Sequence, residues 1–161
     1  MNAKEAIRIA LGAAERLLPM YLNDLSDADI LVRPVPNANH IAWQLGHVIA
    51  AECRIGRQLP GSSYPELPAG FAEQHAKDMS KVDKGFGTKA QYLELFNKVR
   101  QATLANLERL SETDLDKPAT GDVAKIAPNL GALLLLAANH SVMHIGQFSA
   151  TRRKLGKPNC F

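Results

Sequence analysis

The chain has 161 residues, 46% of them hydrophobic, which is one domain's worth of sequence and too apolar for intrinsic disorder. Nineteen Lys and Arg against sixteen Asp and Glu leave a formal charge of +3, too mild for a concentrated nucleic-acid-binding face. Aromatic residues are 6%, Ala and Leu dominate and strand formers are thin, so the composition points to an all-α protein in a single domain over 1–161.

The first helix is expected from about Ala3 to Asn23, where Ile7, Leu11, Ala14 and Leu18 repeat at helical spacing. Pro19 should kink it or end it a turn early. Lys4, Glu5, Arg8, Glu15 and Arg16 interrupt this stretch, so it does not read as a secretory signal. An irregular segment follows over Ser26 to Asn37, kept extended by Pro34 and Pro36.

The second helix is expected to start at Asn37 or Asn39, either of which can cap it, and to run to about Leu59. From Pro60 to Gly87 lies a long connection with three prolines and four glycines, with a short helix near Phe71 to Lys77. Connections of this length are uncommon in compact domains. This one reads equally as a flap over one end of a bundle or as a plain crossover.

The third helix has a clear start, because Thr88 and Gln91 make a capping box. Tyr92, Phe96, Val99, Thr103, Leu107 and Leu110 mark its buried face, and it should end near Ser111. The fourth helix is expected from the cap Asn129 to Leu155, with Gly156 as the terminating glycine and Pro158 beyond. Arg152, Arg153 and Lys154 sit in its last turn, as a solvated, dipole-matched end or as an anion site. Four such helices of about 30 Å each make a four-helix bundle. The longest apolar run, Leu130 to Ala138, is far short of the roughly 20 residues that span a bilayer. Cys53 and Cys160 match no CxxC spacing, as expected of a protein in a reducing cytoplasm.

The histidines carry the chemical signal. His140 and His144 are four apart on the fourth helix and project from one face among Leu133, Leu136, Ala137, Ile145 and Phe148. Two imidazoles so placed can share a metal ion, or each can satisfy itself on a backbone carbonyl. His47 is the best third ligand from another helix. His40 shares its stripe but lies about 10 Å further along the axis, so both cannot hold one ion. His40 is then a supporting group or a helix-start residue, and His75 a surface residue. Gln147 shares the ligand face and can orient a ligand or a bound water, and Trp43 can wall the pocket or belong to the core. Cys53 and Glu52 point about 120° and 140° away from His47, too far round the helix to join it. Position 141 is Ser, so the HExxH arrangement with its glutamate base is absent. Any nucleophile would then be water bound to the ion.

Asn39-His40-Ile41-Ala42-Trp43-Gln44-Leu45-Gly46-His47 resembles the second-helix signature of the DinB-like superfamily of candidate metalloenzymes. Asn139-His140-Ser141-Val142-Met143-His144-Ile145-Gly146-Gln147 resembles that family's H-x-x-x-H-x-G-Q on the last helix. The resemblance implies a four-helix bundle holding zinc or nickel through His47, His140 and His144. It also implies a homodimer and an activity that transfers, or uses as cofactor, a low-molecular-weight thiol. A small-molecule electrophile is then the partner, with no nucleic acid and no membrane. Hydrolysis at the same three histidines is one alternative. A non-catalytic stress-response protein with a structural ion is the other, and a fourth protein ligand would mark it.

Overall fold

The computed structural model describes residues 1–160. Six α-helices fold up, and four of them are long: α1 (Ala3–Leu22), α2 (Ile41–Gly56), α4 (Lys89–Arg109) and α6 (Leu130–Lys154). The short α3 (Phe71–Gln74) lies in the long connection, and the short α5 (Glu112–Leu115) follows α4. Single turns of 3₁₀ helix occupy Asp29–Leu31, Lys77–Lys81 and Asp122–Lys125. Among the described residues there is no strand, and no helix is long and apolar enough to cross a membrane. The all-α bundle expected from composition is the fold observed.

Local chemistry sets the helix ends. Asn2 and Glu5 form a capping box on α1, and Thr88 and Gln91 form the expected one on α4. Asn129 accepts the Ala132 N–H at 2.8 Å and opens α6. At its far end Lys157 N–H reaches Arg152 O and Gly156 N–H reaches Arg153 O, with Gly156 at φ +68°. That pair of bonds is the Schellman termination, and it needs the left-handed residue that glycine supplies.

Two expectations need correction here. Pro19 does not end α1, which runs on to Leu22, and Asn23 N–H bonds the Pro19 carbonyl at 2.9 Å. Pro19 is exposed, so water can serve the carbonyl that its missing N–H leaves behind. Neither Asn37 nor Asn39 caps α2. His40 does, its Nδ1 accepting the Trp43 N–H at 3.1 Å.

The long helices form a ring in which α1 packs on α6, α6 on α2, α2 on α4 and α4 on α1. Consecutive long helices α1 and α2 therefore stand diagonally opposite. The interior divides into two apolar halves, one around Leu18, Leu45, Phe96 and Phe148, the other around Leu11, Ile55, Leu107 and Leu133. A polar layer sits between them. Arg100, fully buried on α4, forks onto Glu52 of α2 through two bonds of 2.8 Å. It also donates to the Leu11 carbonyl of α1 and to Ser141 Oγ of α6 at 3.2 Å. Thr103 donates to Glu52 at 2.7 Å. One guanidinium thus touches all four long helices.

The connection between α2 and α4 lies against α2 and is fixed there by two rings. A Cβ on Gly46 would come within 2.0 Å of the His75 ring, and a Cβ on Gly56 within 2.0 Å of the Tyr64 hydroxyl. Both glycines are therefore notches that let another segment approach the helix backbone.

Candidate metal centre

His47 projects from α2, and His140 and His144 from α6, the neighbouring helix in the ring. One nitrogen from each lies within 4.8 Å of the other two. Ring centroids are 5.2 Å apart for His47 and His140, 5.4 Å for His47 and His144, and 4.7 Å for His140 and His144. Nitrogens sharing one zinc at about 2.1 Å stand at most about 4.2 Å apart, so small rotations bring this trio onto a common ion. No fourth His, Cys, Asp or Glu among the described residues joins the group.

Two of the rings have a fixed tautomer. The His75 carbonyl accepts from His47 Nδ1 at 3.0 Å, and Gln44 Oε1 accepts from His144 Nδ1 at 3.0 Å. Gln44 is itself oriented, because its Nε2 donates to the Asn39 carbonyl at 3.0 Å. With the proton on Nδ1, each ring turns the lone pair of Nε2 outward as a ligand. Burial, with the neighbouring rings adding to it, pushes His140 and His144 down to about 4. Burial also lowers His47. All three are neutral imidazoles at pH 7, the form that binds a metal. Trp43 stacks on His47 with centroids 4.7 Å apart and holds itself by an Nε1 bond to the Ala76 carbonyl. It is a core residue that covers one face of His47.

Other sites read from the sequence move. Gln147 is exposed and its side chain makes no hydrogen bond among the described residues; the amide on a ligand ring is Gln44, from the neighbouring helix α2. Gln44 was missed because it lies three residues before His47, inside an apolar run, and only the packing of α2 on α6 gives it a partner. His40 is the helix-start residue, one of its two expected roles: Nδ1 caps α2 and Nε2 donates to the Val82 carbonyl at 3.1 Å. His75 is not a surface residue. It is 1% exposed, with Nε2 on the Tyr92 hydroxyl at 2.8 Å and Nδ1 on the Phe71 carbonyl at 2.7 Å. The notch at Gly46 was the available signal for it. Cys53 is buried and its thiol is pushed up to about 11 by that burial, so it is an apolar packing group, as expected. Arg152 is not part of a solvated basic end but is buried against Asp24 and the Tyr21 carbonyl.

A profile of the DinB superfamily matches residues 10–148. The chain belongs to the DinB superfamily. The match includes both histidine segments. A solved structure described as a conserved protein of Enterococcus faecalis superposes with a TM-score of 0.73 over 98% of this chain and 99% of that one, at 17% identity. That likeness speaks for the fold alone. No curated protein matches the chain.

Beside His47 opens a cavity of about 570 Å³ along α2, which the connection closes on its other side. Of the three rings, His47 is the one that lines it. In the DinB fold of this chain the donors come from two adjacent helices, α2 and α6.

Proposed function

We propose that this protein is a metal-dependent enzyme that transfers a low-molecular-weight thiol to an electrophilic small molecule. The observation that carries the reading is the trio itself: three neutral imidazoles within 4.8 Å, with no fourth protein donor among the described residues. Structural zinc sites are closed by four ligands, and catalytic ones keep a position open. The donor set suits a borderline divalent ion such as zinc or nickel.

Such an ion, held by His47, His140 and His144, would keep its full positive charge and favour the thiolate form of a thiol at neutral pH. The remaining work belongs to the chain. Gln44 and the His75 carbonyl keep Nε2 of their rings aimed at one point. Trp43 covers one face of His47 and excludes water from it. The cavity along α2 seats the part of a reactant that extends away from the ion. In the transfer, sulfur bonds to the electrophilic carbon, the leaving group departs with its electron pair, and the thiol proton passes to solvent.

Elemental analysis of the native protein should find about one divalent ion per chain, and His140→Ala should carry almost none while keeping its helical circular dichroism. The native protein should consume an electrophile only when a thiol is supplied. Native protein that holds no divalent ion after reconstitution overturns the reading. Ester or amide cleavage that proceeds without thiol replaces transfer with hydrolysis.

A further inference from the structure

The cavity beside His47 has a charge pattern of its own. His47, Ala50, Ala51, Arg54 and Arg57 all line it and follow one another along one face of α2 and its C-cap. The two alanines make a low floor. The two arginines stand about 10 and 15 Å along the helix axis from His47. Lys77, from the 3₁₀ turn that follows His75, lines the same cavity. None of these three cations has a hydrogen bond or ion pair among the described residues, and no acidic side chain lines the cavity. This contrasts with Arg8, Arg33, Arg100 and Arg152, each of which is paired with a carboxylate.

The end of a helix accounts for cations on α2 through the backbone dipole. It does not account for a lysine brought to the same cavity by a different segment, nor for the lack of any acid to neutralise the three. Guanidinium groups match the planar oxyanions of carboxylate and phosphate, and a lysine adds a point charge.

Resting on the proposed thiol transfer, we infer that the molecule occupying this groove is elongated and anionic, its reacting end at the three histidines and a carboxylate or phosphate about 10 Å away on Arg54, Arg57 and Lys77. The groove thus selects by charge at a distance from the reacting atoms. These side chains are solvent-exposed, so the preference is moderate and shrinks with added salt.

Cobalt-substituted protein reports thiol binding through its thiolate charge-transfer band. It should bind ω-mercaptooctanoate about tenfold more tightly than ω-mercaptooctanol, with ω-aminooctanethiol weaker still. The variant Arg54→Gln/Arg57→Gln/Lys77→Gln should bind the acid and the alcohol within about twofold, with unchanged helical content, since all three side chains are exposed. A second series uses metal-free protein and calorimetry with octanoate, octyl phosphate and octanol. Both anions should bind better than the alcohol in the native chain and lose that advantage in the variant; the tighter of the two identifies the end group. Equal affinity for all probes, or an anion preference that survives the triple substitution, overturns the inference. If no thiol produces the cobalt band, thiol transfer fails, and the metal-free series alone decides the groove.

Discussion

The bundle contains two polar clusters, one around Arg100 and one around His47, and they differ in what completes them. Arg100 finds its partners within the chain: a carboxylate on α2, a carbonyl on α1 and a hydroxyl on α6. Ser141, one residue after His140, belongs to this cluster and turns away from the ion position. At the three histidines the inner nitrogens of His47 and His144 have acceptors, and one nitrogen of each ring lies within 4.8 Å of the other two. Lone pairs cannot bond one another, so this cluster is completed by a cation or by a hydrogen-bond donor from outside it. The first cluster joins helices; the second is held ready by them.

The sharpest test of that contrast is substitution at Arg100. Arg100→Met leaves Glu52 as a buried, unpaired carboxylate and should cost about 3–5 kcal/mol in urea unfolding. Adding Glu52→Leu should recover much of that loss, because the uncompensated charge is gone. A single variant as stable as the native protein would show that the layer does not tie the helices together.

Gln44→Met tests the histidine cluster from its support. It removes the acceptor on His144 Nδ1 and should weaken metal binding about 10–100-fold by competition with a chelator, with the ligands themselves intact. An unchanged affinity would mean the ring needs no such orientation.

A smaller effect is expected from pH. His140 and His144 fall from an ordinary value of 6.5 to about 4 on folding, chiefly through burial. Between these limits the unfolded chain takes up protons that the metal-free folded chain refuses. Metal-free stability is therefore full above pH 6.5 and declines as the pH falls toward about 4. His140→Ala should flatten part of this slope in thermal melts across that range. A slope unchanged in the variant would assign it elsewhere.

The histidine spacing, the capping residues and the apolar stripes are local signals, and they were legible in the chain. A capping box spans four residues, and the His140–His144 pair spans one helical turn, so neither depends on remote partners. The residues that support the site were not legible in that way. Gln44, His75 and Glu52 each look ordinary in their own segment.

The sequence by itself determined four long helices, the caps of α4 and α6, and which imidazoles stand on which helix, because periodicity and caps act over a few residues. Only the tertiary structure decided that α2 lies beside α6, so that Gln44 meets His144 and His47 meets the pair. It alone put His75 into the notch at Gly46 and Arg100 at the meeting point of all four helices. The reason is that a buried polar group takes whichever partner the packing brings within about 3 Å, and that partner can lie anywhere in the chain.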